Sequence, residues 1–554
     1  GEVCRRCRAR PVWSTTRSKR RQALHLATAR AIAQLYPADE YVEMIAYHYS
    51  RTEEHAEAAA WLEKAGDRAA AIYANDTAIG NYQEARERLK LAAAEPTVFA
   101  HLDEKLGAVL HTVARFDEAL EVLEQAVEVY QRARDGEAVG HVTARIGRVH
   151  RDRGTVGEGI DRLEPLLNFL DWSGPSRGLA SVHVALAHLY FAGGRYGDSA
   201  QAAERASETA RAIGDDGLLA AAEMRRGTTL GLVGETEQGV QILESAVQLA
   251  ESVGDLDTLS IAVSNLGEMY FEMGALDRGK MNLERSLELA ERVGELASMG
   301  YSLVMIGWLL YYLGEWDHAK ASIDRGAEVI RSVGSSWYSA YPPLQTARLQ
   351  VAQGDWEEAA RNLNECLAIA EPIGDIQALQ GAHRLLGELE VLEGRPEAAR
   401  ARLEPLKNSE RLPDQIGLLA TLAWAHLELG AVDQADEIVV GALDVAHLRG
   451  NKPLLPEALR VLGMVRSRQG RRDEAQTAFE EALSLARRLP YPYVEARVLV
   501  EYGIIHDHHE ELEQAREPLG AAMAIFRRLG AKKDVERTGQ VLRELEVASA
   551  KRVR

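Results

Sequence analysis

Cysteine is scarce in this chain: three residues in 554, at Cys4, Cys7 and Cys366. That excludes a disulfide scaffold and fits a reducing compartment, so a cytoplasmic location is expected. Long apolar runs are missing. No stretch approaches the ~18–20 residues of a membrane span, and no secretory signal opens the chain, so no membrane partner is expected. Positive charge is short, with 65 Lys and Arg against 84 Asp and Glu, a net charge of −19. What positive charge there is collects at one end: residues 1–22 hold eight basic groups against Glu2 alone. An acidic body repels phosphate backbones, so nucleic-acid binding by the remainder is not expected. The basic end reads as a disordered, solvated segment, although its charge also suits nucleic acid or an acidic neighbour. Arginine exceeds lysine 54 to 11, as in proteins from GC-rich bacterial genomes. The chain opens on Gly1 rather than Met, which reads as a fragment or a processed product.

Catalytic constellations are also missing. No nucleophile–base pair or paired carboxylates stand out, and the acidic residues fall where exposed helix faces need them. No enzyme activity, cofactor or metal is therefore expected.

What the chain has is a period. Gly154, Gly194, Gly234, Gly274, Gly314, Gly354 and Gly394 fall 40 residues apart, and Gly174, Gly214, Gly254, Gly294, Gly334 and Gly374 keep the same step. A fixed period in this range marks a repeat array, which offers an extended surface for partners. On both sides of Gly274 apolar residues recur at three and four, the helical spacing. Each glycine thus closes a helix, where a left-handed backbone costs it nothing. Small residues recur inside the helices, among them Gly107, Gly227, Gly267 and Gly307 before the turns and Ala119, Gly239, Gly279 and Ala319 after them. Larger residues follow, such as Leu123, Leu243, Leu283 and Ile323. A mid-helix glycine costs up to ~1 kcal/mol against alanine. Small sites facing large ones explain its retention, as ridges fit grooves.

This pattern strongly resembles the tetratricopeptide repeat (TPR) family. The matching features are the small residue of the first helix, the turn glycine, an aromatic two residues later (Phe116, Tyr196, Trp316, Trp356) and the small residue of the second helix. The resemblance implies an all-α, right-handed superhelical solenoid. We count about eleven regular 40-residue pairs and about two irregular pairs before them. The expected organisation is a basic segment at 1–22, irregular helical pairs at 23–95 linking to an upstream module, the TPR array at 96–532, and a capping helix with a basic tail at 533–554. One interval departs: Gly394 to Gly430 is 36 residues, a loss of about one helical turn. A change of direction is expected there, around Leu412 and Pro413.

The register also disposes of tempting motifs. Gly274 to Lys280 matches the start of a phosphate-binding loop, but helix precedes it and Met281 follows the lysine where Ser or Thr is required. Cys4 and Cys7 have half the spacing of a zinc site, without a second pair. His506, His508 and His509 fall near an interhelix turn and read as a solvated loop.

The functional signal is aromatic. Eight of the 33 aromatic residues lie between 301 and 341: Tyr301, Trp308, Tyr311, Tyr312, Trp316, Trp337, Tyr338 and Tyr341. The TPR resemblance implies that first helices line a concave face. Helical geometry then puts Tyr301, Trp308, Tyr311 and Tyr312 on one stripe, with Glu268 and Phe271 from the pair before and Tyr341, Arg348 and Arg384 from the pairs after. Trp, Tyr and Arg dominate binding hot spots, so these nine residues are the candidate partner-binding groove. The alternative is that long helices use the rings for packing between repeats.

Residues 19–90 carry a second resemblance. Lys19-Arg20-Arg21 before Leu24-His25, the His48-Tyr49 helix and Ala65-Gly66-Asp67-Arg68-Ala69 look like the join between the ATPase module and the TPR tail of bacterial AAA/STAND signalling ATPases, whether cyclase-linked or MalT-like regulators. The resemblance implies a sensor or scaffold module that binds a protein, a peptide or a small inducer and regulates an ATPase. A passive protein–protein scaffold and the inducer-binding domain of a transcription regulator are the alternatives. A homo-oligomer is open, because exposed array ends self-associate when no cap is present.

Overall fold

The computed structural model of the chain describes residues 3–37, 40–72, 74–171, 174–333, 337–407, 415–449, 451–508 and 512–552. Among them there are helices and turns but no strand. From Pro96–Thr112 to Leu512–Leu529 the helices form eleven pairs, with two pairs before and Lys532–Arg552 after. The fold is the all-α TPR solenoid that the 40-residue step requires. Residues 3–22 lie within the helix Val3–Leu35, where a disordered segment was expected. Arginine, its commonest residue, is a good helix former.

The pair Leu256–Glu272 and Leu276–Val293 shows how sequence becomes structure. Gly254 before it has φ +71°, and Asp255 then accepts a hydrogen bond from the Thr258 backbone N–H at 3.1 Å, capping the next helix. Asp215 and Asp375 cap their helices in the same way. The small residues work as spacers. A Cβ on Gly227 would sit 2.8 Å from the Gly239 carbonyl oxygen, and one on Gly239 2.7 Å from that of Gly227. The two backbones of that pair therefore touch. Elsewhere the small residue receives a large one: Gly107 faces Leu123, Gly387 faces Leu403, and Gly463 faces Phe479.

The 36-residue interval has a local cause. The second helix of that pair stops after eight residues, Pro396–Leu403, and passes into a 3-10 turn at Glu404–Leu406. Pro405 in that turn has no N–H to continue the α-helix. The expected change of direction at Leu412 and Pro413 lies outside the described residues.

Contacts divide the chain into two compact units, Gly1–His150 with Leu163–Val182 and Arg151–Arg162 with His183–Arg554. In the first, the register continues before the glycine series begins. Ala114 and Arg134 occupy the turn positions with φ of 57° and 58°. Helix packing there runs through Ala29, Ile45, Tyr49 and Ala58, and through Tyr82 seated on Gly66.

The second unit winds back on itself. The Lys452 backbone N–H donates to the Glu272 carbonyl at 2.9 Å, and Lys532 Nζ meets Asp355 Oδ1 at 2.8 Å across 177 residues of sequence. A core joins Phe271, Leu283, Leu309 and Leu310 to Leu489 and Tyr491. Another joins Trp316 and Leu349 to Tyr493, Phe526 and Leu529. Repeats far apart in sequence thus close over one another, burying turn residues that an extended array would leave wet.

Candidate functional site

The nine candidate residues sit on four successive first helices of the second unit: Leu256–Glu272, Leu296–Tyr312, Tyr341–Gln353 and Ile376–Leu392. The structure gathers them into three neighbouring groups. Phe271, Trp308 and Tyr312 form an aromatic knot, with ring centroids 4.0 Å apart for Phe271–Trp308 and 4.9 Å for Phe271–Tyr312. Tyr311 lies beside Tyr312 and stacks on Trp316, whose indole N–H donates to the Tyr311 carbonyl at 3.1 Å. Each such ring pair contributes about 0.5–1.5 kcal/mol beyond the area it buries.

In the second group, Tyr301 donates to Glu268 Oε1 at 3.0 Å and packs edge-on against Tyr341. Burial pushes the Glu268 carboxyl up to about 7, although the Tyr301 hydrogen bond works the other way. Burial also raises the Tyr301 and Tyr341 phenols well above their ordinary value. Asp375 lies next to them and is raised to about 6 by burial, against the backbone N–H of Ala378 and the Tyr341 phenol.

The third group is ionic. Arg348 donates to Gln345 at 3.0 Å and reaches the Tyr312 hydroxyl at 3.4 Å. Arg384 pairs with Glu388, which also accepts from Arg497 at 2.6 Å. Phe271, Tyr341, Arg348 and Arg384 are buried, while Glu268, Tyr301, Trp308, Tyr311 and Tyr312 are half-buried.

Sequence register missed what the winding adds. Tyr491 comes within 5.0 Å of Tyr312 and 6.4 Å of Phe271, centroid to centroid. Tyr493 sits edge-on to Trp316 at 5.5 Å. Arg460 and Arg497 both lie over the Trp424 ring, at 4.7 and 5.3 Å, and both pair with Glu457. Burial opposes ionisation of Glu457, but those two guanidiniums override it and hold the carboxyl down at about 2. Offsets from a turn glycine place residues on a helix face. They do not say which distant repeat covers that face. Arg151 stands four residues after Gly147, an offset on the same stripe, and could have been found from the register.

Several residues singled out for other chemistry are now placed. Gly274 lies in an interhelix turn with φ +76°, and Gly279 lies inside the following helix, so no phosphate loop forms. Cys366 is buried with its Sγ 3.8 Å from the Ala378 carbonyl, and burial raises its thiol to about 12. His509 and the side chain of His508 fall outside the described residues, as do the side chains of Cys4 and Cys7. Among the described residues, no group of three or more His, Cys, Asp or Glu is placed to hold a metal, and no helix is long and apolar enough to cross a membrane.

Three known structures align with the chain at low identity. The Cut9–Hcn1 hetero-tetramer of the APC/C aligns at 14% identity with a TM-score of 0.50, covering 93% of this chain and 98% of that one. A Rap protein complexed with competence and sporulation factor aligns at 13% identity and a TM-score of 0.48, covering 63% and 98%. Yeast Tom70 aligns at 12% identity and 0.32, covering 89% and 96%. No curated protein matches the chain. A tetratricopeptide repeat model matches residues 104–134. A second family model matches residues 180–503, more than half of the chain and all nine residues of the stripe: the chain belongs to the family of the MalT-like TPR region.

Proposed function

We propose that the second unit is a sensor module. Its first-helix stripe, from Glu268 to Arg384, binds a protein, peptide or small-molecule ligand, and occupancy regulates a signalling ATPase on the same polypeptide. One observation carries this reading. Glu268, a carboxyl raised to about 7, is held by a tyrosine among aromatic rings at the centre of the stripe. Buried polar groups cost stability, and packing alone would favour apolar residues there. Regulation then has a physical route. A ligand shifts an equilibrium only through its different affinity for two states. The contacts of Tyr491 with Phe271 and Tyr312, and of Arg497 with Glu388, join first helices far apart in sequence, so a ligand wedged at the stripe alters how tightly the unit winds.

The test screens the chain and its Trp308→Ala and Tyr312→Ala variants against peptide and metabolite panels, with thermal stability measured on the same samples. Affinity for a hit falls about tenfold or more in the variants, beyond any change in melting temperature. Lost stability with unchanged affinity overturns the reading. In a chain that carries the ATPase, the same hit changes the hydrolysis rate; an unchanged rate leaves a passive scaffold.

A further inference from the structure

An arginine over an aromatic ring is a recurring device in the second unit, and it nearly always has a carboxylate. Arg195 lies over Tyr190 and pairs with Asp198; Arg278 lies over Tyr270 and pairs with Glu244. Arg460 and Arg497 share Glu457. Arg225, in the helix Asp216–Leu232, is the exception. Its guanidinium carbon stands 4.2 Å from the Phe191 ring centroid, and its Nε is shielded from solvent without a hydrogen-bond partner. The nearer acid on the same helix cannot help, because Glu223 is held by Arg211 and Arg226.

The neighbours recorded as acting on Arg225 include no carboxylate. Arg151 is close enough to act on its charge, and so is the Tyr338 phenol. Arg151 gives its Nε to Asp152 at 2.7 Å. Glu295 acts on Arg151 and Tyr338. Tyr338 stacks at 4.7 Å and 31° on Tyr301, the tyrosine that holds Glu268. Burial, with Arg151 beside it, lowers the Arg225 guanidinium to about 9, as poorly compensated charge does.

We propose that Arg225, Arg151 and Tyr338 form a binding site for the oxyanion group, carboxylate or phosphate, of the ligand that the stripe takes. The inference rests on the stripe being a binding surface and names the chemistry recognised at one end of it. Guanidiniums suit both anions because their N–H groups match paired oxygens. Phe191 backs the Arg225 plane, and the Tyr338 hydroxyl supplies a further donor. The aromatic stripe, reached through Tyr301, receives the remainder of the ligand.

The experiment uses the full chain, with inorganic phosphate and succinate as separate probes at matched ionic strength, read by calorimetry and thermal shift. Saturable one-to-one binding of at least one probe is expected, and which one binds identifies the group. Arg225→Met and Arg151→Met weaken it about tenfold or more, and Tyr338→Phe a few-fold. Arg285→Gln, on the exposed pair with Glu251, leaves it unchanged. Without anion, Arg225→Met keeps or raises the melting temperature, because it removes an uncompensated charge. Should that variant fail to fold, Tyr338→Phe still reads the site. No saturable binding of either probe, or binding that Arg225→Met and Tyr338→Phe leave intact, overturns the inference. A panel hit that needs Trp308 but is indifferent to Arg225 overturns this inference alone. Anion binding at Arg225 with no hit sensitive to Trp308 overturns only the sensor reading of the stripe.

Discussion

Arg460 and Arg497 carry their charge among carboxylates, while Arg225 carries its charge against a phenyl ring. The first two share Glu457; Arg460 also reaches Glu501 and Arg497 reaches Glu388. Around Arg225 the neighbouring groups are a second guanidinium and a phenol. Both settings cost desolvation, but the first returns it through short charge-assisted bonds and the second does not. The difference teaches where structure ends and recognition begins. In a compensated cluster each charge faces a carboxylate of the chain, and the cluster serves to close the winding. An uncompensated one keeps its donors.

Breaking the compensated side has the largest expected effect. Glu457→Ala leaves Arg460 and Arg497 without their shared partner, and removing one member of a buried pair costs about 3 kcal/mol or more. Repeat arrays open piecewise, so the loss is best read as faster amide exchange in the helices Leu455–Arg468 and Pro492–His508. Unchanged exchange would show that the cluster does not hold the winding. The acid side also predicts a direction with pH. The Glu457 carboxyl is depressed to about 2 when folded, so its contribution is complete above the ordinary glutamate value and is lost as pH falls through about 2.

Glu268 is the intermediate case: an uncompensated group that settles its charge with a proton. Its folded value is about 7, above the ordinary 4.5 of a glutamate. The folded chain therefore binds more protons than the unfolded one between those limits, and stability falls as pH rises across them. At 1.36 kcal/mol per unit the fall is roughly 3 kcal/mol. Glu268→Gln keeps an acceptor for Tyr301 and removes the charge. Its melting temperature should exceed that of the parent at pH 8 and match it near pH 5. Parallel pH curves for the two chains would place the Glu268 carboxyl in ordinary surroundings.

The repeat was legible because it is local. Turn glycines, Asp caps and the Gly107–Leu123 type of contact all lie within one helix pair, so the 40-residue step gave fold and pair count together. The series starts at Gly154 only because Ala114 and Arg134 take the same left-handed turns before it. The stripe was legible for the same reason, since Tyr301, Trp308 and Tyr312 share one helix face. Its neighbours were not. Tyr491 reaches Phe271, and Arg497 reaches Glu388, across long stretches of sequence, and no helical offset encodes how tightly an array winds. The isolation of Arg225 was equally hidden, because a missing partner shows only when the surroundings are in place.

The smaller effects test the uncompensated side. Arg225→Met exchanges a charge that lacks an acid partner for a side chain of similar length, and a gain of about 1 kcal/mol in anion-free buffer is expected, since apolar replacement of buried charge is often stabilising. A loss of that size would mean that Arg225 already has its compensation within the chain. Tyr338→Phe is the finest probe. The Tyr301 stack remains and only a hydroxyl leaves, so stability should stay within about 0.5 kcal/mol, as for changes that remove no packing or paired hydrogen bond. Phosphate or succinate affinity should nevertheless fall a few-fold, because the hydroxyl is one of the donors that the anion would claim. The two readings separate cleanly. A hydroxyl that mattered for packing would lower the melting temperature and spare the anion; one kept for a ligand does the reverse.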